Sequence, residues 1–525
     1  MEAKCIRQTG IPHTTRLFAD YLYHFDRVSP YFLRNPHDPE VFRKAASEVE
    51  FPASRRAALV EALRRQNGDS DALSRLSEHG TVAVVTGQQV GLFSGPAYTI
   101  YKALTAAKLA KQLSATGVPA VPVFWLATED HDLEEVNHTW VFDSNHRAVA
   151  LRAATKGTGQ TPVGRMKLED PPLGALREAL KDFPFGGDIV SLVESTSPEG
   201  TTFGASFSGL LKALLGRFGF LFLDPLDEGI RAIAAPLLVN ALDAAPELSR
   251  QILARNSELT AAQYHAQVHF ENETSLFFRM DGAERKALKR RNGQYSGKDV
   301  RLSAEQLRDA PEQLSPNALL RPVVQDYILP TVSYIAGPAE LAYLAQSDVL
   351  YRGLLGRAPV ILPRSAFTLL DSRAGKLMAR YDLEFTTLLH GEEPLRDRIA
   401  QHLVPPSLKD AFQKTLDSTS AQLQSLREQV VEFDPTLAAS LDKSRAKMLY
   451  QLEKCGRKVA REALRRNERA GEEAQFLSSL VYPHKHLQER FYSILPFLAK
   501  HGLDLLDRLY ENVHLGCPDH IVLEV

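Results

Sequence analysis

Thr81-Val82-Ala83-Val84-Val85-Thr86-Gly87-Gln88-Gln89-Val90-Gly91-Leu92-Phe93-Ser94-Gly95-Pro96 sets the architecture of the chain. Its first five residues are a β-branched, apolar run of the kind found in a parallel strand covered on both faces. The glycine-rich continuation leads into residues 98–113, where Ile100, Leu104, Ala107 and Leu109 recur near helical spacing. A second buried strand is expected over 118–126, after a short Ala-Thr-Gly link. Strand, glycine loop, helix and strand form a βαβ unit with a right-handed crossover, and hence an α/β fold around a parallel sheet.

Further strands are expected outward from this unit at 218–223, 358–362 and 521–525. Residues 1–80 read as mainly helical and polar. Residues 145–320 read as insertions on the core, with β hairpins at 274–280 and at the Asn292-Gly293 turn. Residues 405–470 change character. Phe412, Leu416, Leu423, Leu426, Val430 and Phe433 keep a heptad, Asp434-Pro435 breaks it, and Leu441, Met448, Leu452, Cys455 and Val459 resume it. The organisation expected is a core over 1–404, an antiparallel helical coiled coil over 405–470, and a segment over 471–525 that returns to the core.

Composition excludes several classes of function. Lys+Arg is 62 and Asp+Glu is 64 over 525 residues, so no global cationic field exists to hold nucleic acid or anionic lipid. No apolar run approaches the roughly 18 residues a membrane span needs, and MEAKCIRQTG lacks a signal-like apolar core. Three cysteines, Cys5, Cys455 and Cys517, are too few and too scattered for a disulfide framework or a Cys-rich zinc site. These features predict a cytoplasmic protein in a reducing compartment.

Two polar clusters stand at the carboxyl ends of the expected strands, where open α/β sheets bind ligands. The first spans 86–95. Its glycines allow close backbone approach, and spacing alone leaves it divided between a tight turn and an anion site, because it is neither a dinucleotide fingerprint nor a P-loop. Gln88 and Gln89 add amides able to orient a polar substrate. The second, Glu129-Asp130-His131-Asp132-Leu133-Glu134-Glu135-Val136-Asn137-His138, offers carboxylates for a substrate ammonium or a metal, and histidines for proton transfer. Its histidines lie seven apart, unlike the four-residue zinc spacing. The bland alternative is a solvated acidic loop. A third segment joins Arg321, Gln325 and Asp326 to Gly337-Pro338, which opens a helix with Glu340, Tyr343 and Gln346 roughly on one face. The basic stretches 285–291 and 457–469 read as solvated helix faces.

TGQQVGLFSGPAYTIYKALTAAKLAKQL, VPVFWLATEDHDLEEVNH, LSPNALLRPVVQDYILPTVSYIAGPAELAYLAQ and VILPR occur in this order. They closely resemble the bacillithiol biosynthesis cysteine-adding enzyme family, as do the heptad hairpin and LQERFYSILPFLAKHG. The resemblance covers essentially the whole chain. It implies a Rossmann-like parallel-sheet core like that of class I aminoacyl-tRNA synthetases and nucleotidyltransferases, with connecting insertions and a coiled coil that forms a homodimer. It implies ligation of cysteine to glucosaminyl malate, with ATP as the suspected activator and a divalent metal as an open question. The HIGH-type and KMSKS-type signatures of class I synthetases are absent. On this reading His131, Glu129, Asp130 and Asp132 carry catalysis, and Thr86, Gly87, Gln88, Gln89, Ser94, Gly95, Tyr98, Arg321, Gln325, Asp326, Gly337 and Glu340 bind substrate or nucleotide. Two other readings remain beside it: a metal-dependent hydrolase or transferase built on 129–138, and a non-catalytic dimeric ligand-binding scaffold.

Overall fold

The computed structural model describes residues 3–155, 159–297 and 300–525. Its central sheet has five parallel strands: β1 (Val82–Gln89), β2 (Ala120–Ala127), β3 (Leu221–Leu223), β4 (Thr331–Ala336) and β5 (Val360–Pro363), in the order β5-β4-β1-β2-β3. Strand β1 lies in register with β2 from Val82 opposite Ala120 to Gln89 opposite Ala127. Side chains alternate between two apolar layers. Val82, Val84 and Phe124 pack on one face with the helix α1 (Tyr98–Ala115); Ala83, Val85 and Trp125 pack on the other with α2 (Arg321–Ile328) and α3 (Pro338–Leu354). Both faces are thus covered, which is why β1 reads as a continuous apolar run. The strand order reverses between β1 and β4, and their carboxyl ends open a crevice there.

Two departures from the sequence reading have physical causes. Strand β4 has no simple apolar alternation because Ser333 and Tyr334 are buried with satisfied hydroxyls, donated to Val360 O and the Glu340 carboxylate. Residues 285–291 are not a helix face: Glu284–Arg291 is a strand in a five-stranded antiparallel sheet that also holds Thr274–Asp281 and Gln294–Gly297. The Asn292-Gly293 turn has both φ values positive, as a tight hairpin requires. The terminal strands meet, with Ala3–Ile6 antiparallel to His520–Glu524, which runs parallel to Ala366–Leu370.

Beyond the core, α4 (Pro406–Phe433) and α5 (Ala438–Arg465) form an antiparallel hairpin. Asp434 accepts from Thr436 N at the break. Arg427 grips Asp442 through two bonds, and Arg445 reaches Ser420 and Gln424. Ala460 and Leu464 are buried at its base, whereas Leu426, Phe433, Leu437, Met448 and Tyr450 are exposed along its shaft. No helix among the described residues is long and apolar enough to cross a membrane.

Candidate active site

A cavity of about 490 Å³ lies at the crevice, walled by the carboxyl ends of β1, β2 and β4, by α3, and by the inserted antiparallel sheet. Gly87 belongs to the floor. A Cβ there would stand 2.8 Å from the Trp125 carbonyl oxygen, so only glycine lets β1 and β2 approach at this point. Lys102, one turn into α1 from Tyr98, is fully buried and donates to Gly87 O and to Glu340 at 2.6 Å. Burial pushes the Lys102 ammonium pKa down and Glu340 opposes that shift; Lys102, with Tyr334 and Gly337 N, holds the Glu340 carboxyl below its usual range despite burial. Glu340 also accepts from the Gly337 backbone N–H, closing the cap of α3, so this carboxylate is a fixed node rather than a free acid.

Two guanidinium groups face the cavity with only neutral groups bonded to them. Arg321 donates to Gln325 Oε1 at 3.0 Å and to the Tyr343 hydroxyl at 2.9 Å. Arg285 donates to Ser315 Oγ at 2.9 Å and Pro316 O at 2.8 Å, stacks 3.9 Å above Phe278, and lies 3.5 Å from His131 Nδ1. Arg364, by contrast, is held in a buried two-bond pair with Glu489. Arg285 is buried and Arg321 half-buried; a cation so placed without a carboxylate hydrogen-bond partner is costly, and an anionic ligand relieves that cost.

The opposite character gathers at the end of β2. Gln89 Nε2 donates to Asp130 at 2.6 Å and to Glu135 at 3.0 Å, so two carboxylates share one neutral donor. Such a site favours a ligand cation. Glu129 pairs with Arg231 at 2.7 Å. His131 projects between the Phe278 ring and Arg285, with Asp130 Oδ1 3.9 Å from Nδ1. Its surroundings therefore include a guanidinium as well as the carboxylates that the sequence placed beside it.

Of the residues singled out from sequence, Gly87, Gln88, Gln89, Tyr98, Glu129, Asp130, His131, Arg321, Gly337 and Glu340 line this one cavity. The structure places Thr86, Ser94, Gly95, Asp132, Gln325 and Asp326 off it. Thr86 donates to Ile335 O, and Asp132 caps the turn Leu133–Val136. Gln325 and Asp326 are fully buried, Gln325 behind Arg321 and Asp326 bonded to Tyr351. Of the two readings of the glycine loop, the tight turn rather than the anion site matches its geometry. A Gly91 Cβ would stand 3.0 Å from Gly95 Cα, Phe93 to Gly95 all have positive φ, and Tyr492-Ser493 covers the loop through Ala97 N to Tyr492 O and Ser493 Oγ to Phe93 O. These glycines fold the loop onto itself. Gln346 leaves the face it was expected to share, since it bonds Val268 and Asn256.

The cluster at 129–138 does not converge as a metal-ligand set. Glu134 pairs with Arg152, Asp132 caps, Glu129 pairs with Arg231, and His138 lies beside Asn137. Among the described residues no three His, Cys, Asp or Glu side chains are placed to hold a metal ion. Sequence reasoning missed Lys102, Arg285, Tyr334 and Phe278 as cavity residues. Lys102 carried a signal, lying four residues after Tyr98 on one helix face; Arg285 carried none beyond its charge.

The parallel sheet, the crevice at its order reversal and the cavity with separated cationic and anionic ends define a Rossmann-like protein. The family model for the bacillithiol biosynthesis BshC N-terminal Rossmann-like domain matches residues 1–365, and that for the BshC C-terminal coiled-coil domain matches 367–525. The chain belongs to this family. A relative from Solibacter usitatus is 53% identical over the full length of both chains, one from Koribacter versatilis 36% over 99% of each, and one from Salinibacter ruber 30% over 97% of this chain and 96% of the relative. Each bears the name "Putative cysteine ligase BshC".

Proposed function

We propose that the chain is a cytoplasmic cysteine ligase of bacillithiol biosynthesis, joining the carboxyl group of cysteine to the amine of glucosaminyl malate. The observation that carries the assignment of substrates to the cavity is Arg321, a half-buried guanidinium hydrogen-bonded only to neutral groups. A malate carboxylate completes it with charge-assisted bonds, and Arg285 offers a second such position. The Asp130–Glu135 pair suits the cysteine ammonium. An amide does not form from a free carboxylate and an amine in water, so the carboxylate needs activation. ATP serves this role by transferring AMP to the cysteine carboxylate with release of pyrophosphate; the sugar amine then attacks the carbonyl carbon and AMP leaves. His131 accepts the proton of the attacking nitrogen. Since the glycine loop is closed, phosphate groups are met by Arg490, exposed at the rim, and Arg285. The chain works as a homodimer through the apolar shaft of the α4–α5 hairpin.

Incubation with cysteine, glucosaminyl malate and ATP, followed by mass detection, tests this reading. It predicts a product heavier than glucosaminyl malate by one cysteine residue, together with AMP. No product with all three substrates contradicts the ligase assignment. Equal product without nucleotide contradicts the ATP step.

A further inference from the structure

We propose that Cys5 and Cys517 are a redox-active dithiol that exchanges with low-molecular-weight disulfides to form a reversible bond between the two ends of the chain. The sequence separates these residues by 512 positions, and the fold brings their sulfurs to 3.9 Å. Both thiols are free; Cys5 is exposed and Cys517 partly so, which leaves them open to a small reagent. Cys5 sits on the terminal strand Ala3–Ile6, in register with Ile521, so the pairing of this strand with His520–Glu524 fixes one sulfur. Tyr23 reinforces the join, accepting from Gln8 N at 2.8 Å and donating to Asp519 at 2.6 Å. Cys517 lies in the loop that enters the other strand, after Gly516, which has no atom within 4 Å of its Cβ position. The sulfurs must close from 3.9 Å to about 2.05 Å, a shift that side-chain rotation and this open loop accommodate.

Desolvation by the surrounding chain and the neighbouring Cys517 push the Cys5 thiol up, unlike the lowered thiols of catalytic cysteines. The pair is therefore read as a clasp that follows the thiol–disulfide balance, not as a nucleophile of the ligation. Neither sulfur lines the cavity at the sheet crevice. The exchange has two steps. One protein thiolate attacks a sulfur of the small disulfide, forming a mixed disulfide and expelling one small thiolate. The second protein thiolate attacks the protein sulfur of that mixed disulfide, forming the Cys5–Cys517 bond and expelling the second small thiolate. Two protein thiols are oxidised, one small disulfide is reduced to two thiols, and the protons pass to the departing thiolates.

Cystine is the probe, used on full-length protein carrying Cys455→Ser so that the exposed third thiol does not interfere. After alkylation, intact mass is expected to show loss of both remaining thiols, a decrease of two hydrogens, and no bound cysteine. Digestion should yield one linked peptide pair, and reductant should restore both thiols. Adding Cys5→Ser or Cys517→Ser should instead trap a single cysteine adduct. Two alkylated thiols after cystine treatment, or adducts that never resolve to the internal bond in the Cys455→Ser protein, would overturn the proposal.

Discussion

At the level of single residues, His131 and His520 separate chemistry from stability. His131 projects into the cavity beside Asp130 and Arg285, bonded to the fold through its own backbone N–H to Asp130 Oδ1 at 2.8 Å. Its side chain is 35% exposed, so His131→Gln should keep the fold and substrate affinity. If the ring accepts the amine proton, turnover falls about 10²–10⁴-fold, the usual range for losing a general base. Steady-state kinetics with circular dichroism checks this, and an unchanged turnover would remove His131 from the reaction. His520 is buried, with Thr368 Oγ1 as the single partner of its Nε2, and burial lowers its pKa from 6.5 to about 4. Between these values the unfolded chain binds more protons than the native one, so stability falls as pH drops from about 6.5 to about 4. At the order of magnitude the contribution reaches about 3 kcal/mol. Thermal midpoints measured from pH 7 to pH 4 should fall less steeply in His520→Asn; an identical slope would exclude His520 as a cause.

At the level of elements, the α4–α5 hairpin exposes apolar side chains that its own partner helix does not cover. Phe412, Leu416, Leu423 and Val430 are only half-buried, and Phe433 is 87% exposed. A second copy would cover such a shaft. Leu426→Glu with Phe433→Glu should therefore convert a dimer into a monomer on light scattering while the melting temperature of the core is kept. A dimer that survives both substitutions would place the contact elsewhere. The break at Asp434-Pro435 and the strand-loop-helix unit were legible, because each rests on local periodicity or capping; the heptads were legible only in part, since Leu426, Phe433, Met448 and Cys455 are exposed rather than packed in the hairpin seam. Strand β4 was not, since its buried hydroxyls are satisfied only by β5 and by Glu340. Nor was the strand Glu284–Arg291, whose charges conceal that Arg285 and Leu288 point inward.

At the level of the whole molecule, long-range packing decides which legible residues become a site. Gln88, Gln89 and His131 were placed by strand ends alone. Ser94 and Gly95 were lost to the cavity because Tyr492-Ser493, some 400 residues further along the chain, closes over them. Arg285 reaches the cavity only because an inserted antiparallel sheet folds back against the loop after β2, where Phe278 and Arg285 meet His131, an arrangement that no local pattern encodes. The central claim is that this assembled cavity binds an anionic acceptor through a half-buried guanidinium that is hydrogen-bonded only to neutral groups. Arg321→Ala tests it, since the groups left behind, Gln325 and Tyr343, are neutral and keep their other surroundings. A charge-assisted pair contributes about 1.5–3 kcal/mol, or about 10- to 100-fold in affinity. Titration calorimetry with glucosaminyl malate, on wild type and on an Arg321→Ala protein of unchanged fold, measures this directly. Binding weakened by that factor is the predicted result; equal affinity in the two proteins would contradict it.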